Sequence, residues 1–237
     1  LTGYPSQLIR QKKFHSVPVI VGANTDETFC IGKVNTTEDL FYEMFRWRNY
    51  ALSAPTARKL LELYPDDPCH QPPYHITNCS RPEGNYQGRR GCAIGSDIAM
   101  ISGRRKLAEL FTESGEDVYS YRFDQLWYQR AEWDGVKHFD NVAYSFQNIS
   151  GLLGPSPKYD SHAELANTIG QAYVRFVNDL NPNGSKKSKL PKWPKYSTSK
   201  PKNMVLNATR NWVEDDTWRK EGIEYINSYE VARELYG

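Results

Sequence analysis

An α/β fold is predicted by three observations: β-branched runs without polar interruption, amphipathic stretches at helical spacing between them, and turn residues at the joints. Val17-Pro-Val-Ile-Val-Gly22 is apolar until its closing Gly, which suits a strand buried on both faces. Glu38 to Tyr50 and Ala54 to Tyr64 carry apolar residues at helical spacing (Leu40, Met44 and Phe45; Leu60, Leu61 and Tyr64), and Pro55 fits the first turn of the second helix. Pro65 to Arg90, with its Pro, Gly and Asn, reads as a loop. From Gly91 to Phe111 the apolar positions again recur at three and four, giving one long helix that stops near Ser114-Gly115. Val118 to Phe123 alternates and is aromatic, so it is a strand. His162 to Leu180 is the next amphipathic helix, closed by Asn181-Pro-Asn-Gly184. A Lys-rich loop at Ser185 to Lys192, a short strand at Asn203 to Leu206 and a final helix around Tyr225 to Leu235 complete the pattern. Three visible strands are few for a chain of 237 residues, so further strands of the sheet are expected from sequence beyond it.

Composition narrows the function classes. Thirty Lys and Arg against 28 Asp and Glu leave a net charge of +2 with no long run of either sign, which argues against a nucleic-acid partner. The small cluster Lys186, Lys187, Lys189 and Lys192 lacks stacking aromatics and reads as a solvated loop. The longest apolar stretch, Val17 to Ala23, is far short of the ~20 residues of a membrane span. The chain opens at Leu1 with neither Met nor a secretory leader and reads as an interior piece of something longer. Five N-glycosylation sequons, at Asn35, Asn78, Asn148, Asn183 and Asn207, favour a secreted glycoprotein.

Four cysteines, at 30, 69, 79 and 92, show no CxxC spacing, and no metal or cofactor is expected. Cys69 and Cys79 bracket a Pro-rich loop and are expected to pair, while Cys30 and Cys92 stay open between a free thiol and other partners. Cys69, His70 and His75 cluster in the same loop without ligand spacing. Trp47, Trp127, Tyr128 and Trp133 are candidate walls of an apolar pocket or plain core.

Two local patterns carry chemistry. Gly22-Ala-Asn-Thr-Asp-Glu27 is a turn directly after the first strand, and ligands of open α/β sheets gather outside the carboxyl ends of strands. It reads as a site for a catalytic acid or as an Asx turn that contains acids. Trp133-Asp-Gly-Val-Lys-His138-Phe-Asp is a loop after a later strand, its His a base or a surface residue. An acid after one strand followed by a His after a later one is the chain order of an α/β-hydrolase triad.

Phe14-His-Ser-Val-Pro-Val-Ile-Val-Gly-Ala-Asn-Thr-Asp-Glu27 resembles the acid-bearing segment of the type-B carboxylesterases and lipases, the family of the cholinesterases and the Candida rugosa-type lipases. The family pattern runs Gly-x-Asn-x-Asp-Glu, usually followed by Gly, where this chain has Thr28. Gly135-Val-Lys-His138 with Val142-Ala-Tyr-Ser-Phe146 resembles the segment of the catalytic His. Phe176 to Asn183, Trp193-Pro-Lys-Tyr196 and Met204-Val-Leu-Asn207 resemble the closing stretch. Asn141 stands where an acid is common, with Asp140 just before it.

The resemblance implies the C-terminal part of one α/β-hydrolase domain spanning residues 1–237, with the sheet completed by an N-terminal half. It implies Glu27 as triad acid and His138 as general base. No Gly-x-Ser-x-Gly and no Gly-Gly-Gly run occurs in the 237 residues. The nucleophilic Ser and the oxyanion hole are therefore expected on a second polypeptide or N-terminal segment, and the substrate is expected to be a small-molecule carboxylic ester. A cholinesterase-like adhesion protein is the alternative. Such a protein needs neither Glu27 nor His138, so their presence favours the enzyme.

Overall fold

The computed structural model describes residues 3–28, 33–46, 52–67, 81–128, 130–148, 150, 159–184 and 189–236. In chain order the first elements are α1 (Pro5–Arg10), β1 (Val19–Asn24), α2 (Thr37–Arg46), α3 (Ala54–Leu63) and α4 (Gly88–Ser96). A π-helical turn (Asp97–Ile101) leads into α5 (Ser102–Glu113) and β2 (Val118–Phe123), and a 3-10 turn (Glu132–Asp134) precedes α6 (Val142–Ser145). Then come α7 (Asp160–Asp179), β3 (Lys202–Leu206), β4 (Trp212–Asp215), α8 (Lys220–Ile226) and α9 (Tyr229–Tyr236). These fall into two compact units, one of Leu1–Asn24, Arg104–Tyr128 and Phe139–Asp216, the other of Thr25–Gly103, Gln129–His138 and Thr217–Gly237.

The first unit is built on a mixed sheet in the order β1-β2-β3-β4, parallel from β1 to β3, with β4 antiparallel to β3. Parallel neighbours require crossovers, which is why long helical stretches separate these strands in sequence. Gly22 lies opposite Tyr121, and a Cβ at that position would overlap the Tyr121 ring, so the ring takes the space this glycine leaves.

Trp193 and Asn183, both in the stretches that resemble the family's closing segment, have direct structural jobs. The Trp193 indole is buried, donates Nε1–H to the Ser120 carbonyl at 2.9 Å and stands edge-on to Tyr119 and Tyr121. Asn183 Oδ1 accepts from the Trp193 N–H at 2.7 Å while its amide donates to the Trp193 carbonyl at 3.0 Å. A second anchor is Asp216, which accepts from Arg104, Arg105, Tyr196 and Asn203, all buried.

The second unit packs α2, α3, α4, α8 and α9 around Leu40, Met44, Leu60, Ile94 and Ile226, each 1% exposed or less. Local capping starts two of its helices. Thr36 and Asp39 exchange backbone-to-side-chain bonds at the start of α2, and the Ser53 side chain accepts from the Thr56 N–H at α3, with Pro in the first turn. Ser53 also donates to Glu234 of α9 at 3.0 Å.

Several expectations need correction. The sheet has four strands among the described residues, because Trp212–Asp215 is a strand that offers only four residues and no clean alternation. β1 is half-buried from Val19 to Gly22, with only Ala23 and Asn24 fully enclosed, since among the described residues it pairs with β2 alone. The long helix expected from Gly91 starts at Gly88, inside the stretch expected as a loop, and contains the π turn, while its end at Glu113 is where Ser114-Gly115 places it. The final helix is two, divided at Asn227 and Ser228, where a polar pair interrupts the apolar periodicity. The six-residue α1, opened by Pro5, carries too short a pattern to detect. Of the cysteines only Cys92 is among the described residues, so the pairing of Cys69 with Cys79 lies outside them, as do His70, His75 and Trp47.

Candidate active site

Glu27 comes three residues after the last residue of β1, and its backbone is fixed from the side by a buried serine. The Ser96 hydroxyl oxygen, at the end of α4, accepts the N–H of Glu27 at 2.9 Å and that of Thr28 at 3.2 Å. Thr28 adds its own hydroxyl, 3.2 Å from Ser96 Oγ and donating to the Cys92 carbonyl at 3.3 Å. Thr28 therefore ties the turn to α4 through contacts that a glycine at this position could not make.

The His-bearing loop begins with the 3-10 turn and then reverses at Gly135, whose φ of +68° is a conformation that favours glycine. Asp26 and Val136 pair in both directions. The Asp26 N–H donates to the Val136 carbonyl at 2.9 Å, and the Val136 N–H donates to Asp26 Oδ2 at 3.0 Å. Arg89 lies 3.1 Å from Asp26 Oδ1 and donates to the Trp133 carbonyl at 3.2 Å.

This places His138 Nδ1 at 2.6 Å from Glu27 Oε2. The Glu27 side chain is 5% exposed and the His138 side chain 56% exposed. An imidazole that donates Nδ1–H to a carboxylate leaves Nε2 as an acceptor, on a ring that is more than half open. Such a pair can receive a proton from a nucleophile while the carboxylate stabilises the imidazolium that results.

The other sequence candidates are placed differently. Trp133 is buried within this loop, whereas Trp127 and Tyr128 belong to the first unit, where Tyr128 meets Tyr159 edge-on. Lys189 pairs with Glu164, while Lys186 and Lys187 lie outside the described residues. Among the described residues no group of three or more His, Cys, Asp or Glu is arranged to hold a metal ion, and no helix is long and apolar enough to cross a membrane.

Sequence reasoning did not single out Ser96, Arg89 or Gly135 as part of this site. Gly135 lies in the segment Gly135-Val-Lys-His138, but nothing local marks Arg89 as buried.

The carboxylesterase family profile matches residues 1–224. The chain belongs to the carboxylesterase family. It is 27% identical over 229 residues to Lipase 4 of Diutina rugosa and 26% identical over 234 residues to Secreted lipase 1 of Botryotinia fuckeliana, covering 93% and 95% of this chain. It spans only 37% and 38% of the length of those relatives. Among solved structures it resembles EstA of Aspergillus niger with a TM-score of 0.73 at 18% identity, over 97% of this chain and 43% of that one. PNB esterase gives a TM-score of 0.63, also at 18% identity, over 100% of this chain and 42% of that one. The fold of this family member is thus the C-terminal portion of an α/β-hydrolase esterase.

Proposed function

We propose that this chain is the C-terminal portion of a single hydrolase domain that cleaves carboxylic esters through an acyl-enzyme, with Glu27 and His138 as two members of the triad. The nucleophilic Ser and the oxyanion donors come from a preceding segment or second polypeptide. His138 takes the Ser proton during attack and returns it to the leaving alcohol. Glu27 holds the tautomer and stabilises the imidazolium. The observation that carries the reading is the 2.6 Å contact between His138 Nδ1 and a buried Glu27 carboxylate.

Relatives named as lipases, one of them a secreted triacylglycerol lipase, support esters with apolar acyl groups as the substrate class. Secretion is supported by the relatives named as secreted and by the exposed sequon at Asn35. The test is to treat the full-length protein with an alkyl phosphonate probe and map the adduct by peptide mass spectrometry. An adduct on a Ser outside these 237 residues supports the reading. An adduct on this chain, or a Gly-x-Gly-x-Gly in place of Gly-x-Ser-x-Gly upstream, overturns it, the latter in favour of a binding or adhesion protein.

A further inference from the structure

We propose that Asp26, Arg89 and Gly135 form a brace that positions His138 against Glu27, so that Arg89 is a positioning residue for the reaction. This rests on the hydrolase reading above. The acid and the histidine are 111 residues apart in sequence, and the histidine sits on a loop with a single 3-10 turn. A loop with so little regular structure depends on tertiary contacts to fix a side chain to the few tenths of an ångström that proton transfer requires. The fixing comes from the residue next to the acid.

Asp26 is 1% exposed and spends both its backbone N–H and its Oδ2 on Val136, two residues before His138. Two antiparallel bonds to one residue define the direction of the loop as well as its distance. A carboxylate buried to this extent needs a counter-charge, and Arg89, 2% exposed, supplies it at 3.1 Å. Arg89 then reaches past Asp26 to the Trp133 carbonyl, three residues ahead of Val136, so one guanidinium secures both the anchor and the near side of the loop. Gly135 closes the arrangement. A Cβ there would collide with Asp26 Oδ2 and Arg89 Nη1, and its φ of +68° disfavours any larger residue. The acid motif therefore contains two carboxylates with separate tasks: Glu27 faces the imidazole, and Asp26 holds the loop that carries it.

The test uses full-length enzyme carrying Arg89→Met, Arg89→Lys or Gly135→Ala, with active sites counted by phosphonate titration and kcat and KM measured on a soluble ester. Arg89→Met and Gly135→Ala are expected to lower kcat per titrated site by between about tenfold and a hundredfold, with KM within about threefold. Arg89→Lys, which keeps the ion pair, recovers most of the loss. The downfield proton resonance of His138 Nδ1–H weakens in step with kcat. Gly135→Ala leaves both charges in place and reads the same quantity if Arg89→Met does not fold. Variants that lose folded protein but keep full kcat per titrated site overturn the brace, because a merely structural role moves only the number of sites. A wild-type enzyme inert towards every ester contradicts the hydrolase reading instead.

Discussion

Arg219 lays its guanidinium along the Asp97 carboxylate in a two-pronged pair, Nε to Oδ2 and Nη2 to Oδ1, both at 2.7 Å. Asp97 is fully buried, opens the π turn and also accepts from the Tyr64 hydroxyl at 2.7 Å. Arg219 holds this geometry from a left-handed backbone, at φ +49°. Removing the guanidinium leaves a buried, uncompensated carboxylate, which costs about 3–5 kcal/mol. Arg219→Met is therefore expected to lower stability by that order in chemical denaturation of the full-length protein, whereas Arg58→Met, at an exposed pair with Glu38, leaves it little changed.

Asp216 sets an acid limit. Burial alone would raise its pKa, but Arg104 and Arg105 outweigh it and bring the value down to about 2. A carboxylate whose folded pKa lies below its unfolded value of about 3.9 contributes stability that is complete above the unfolded value. That contribution is lost as pH falls from about 4 towards 2. Stability curves measured by denaturant titration between pH 5 and pH 2 are expected to fall less steeply in Asp216→Asn, although that variant starts from a lower value at pH 7.

His162 acts nearer neutrality. Its ring is buried, Nδ1 lies 3.2 Å from the Tyr144 hydroxyl, and Nε2 lies 3.3 Å from the Gln125 amide nitrogen, a donor. The ring must therefore be neutral to accept there, and burial lowers its pKa below the ordinary 6.5. The unfolded chain then binds the extra proton first, so the contribution of His162 is complete above about pH 6.5 and declines as pH falls below it. His162→Gln is expected to flatten the stability profile between pH 7 and pH 5. An unchanged slope contradicts the assignment.

What the sequence showed of this molecule follows the length of each signal. Val118–Phe123 and Asp160–Asp179 have long, regular patterns and stand within two residues of where periodicity places them. Trp212–Asp215 is made a strand by pairing with β3, a non-local contact that four residues cannot announce. The turn ending in Glu27 and the loop carrying His138 each admit an ordinary structural reading by themselves, and it is the resemblance to the carboxylesterase family that singles these two residues out. The brace was not legible for a physical reason: arginine is ordinarily a solvated residue, and only the folded arrangement shows that Arg89 is buried against Asp26.

The most direct measurement is the turnover of a soluble ester by full-length enzyme carrying His138→Ala, with Glu27→Gln alongside and folding checked by thermal melting. If His138 is the general base as proposed, kcat is expected to fall by about 10⁴-fold or more for His138→Ala, with KM and melting temperature little changed. Glu27→Gln, which can no longer hold the required tautomer, is expected to follow within about two orders of magnitude. A His138→Ala enzyme that keeps its turnover within about tenfold of wild type contradicts the account, because it removes the 2.6 Å pair from the chemistry while leaving the fold intact.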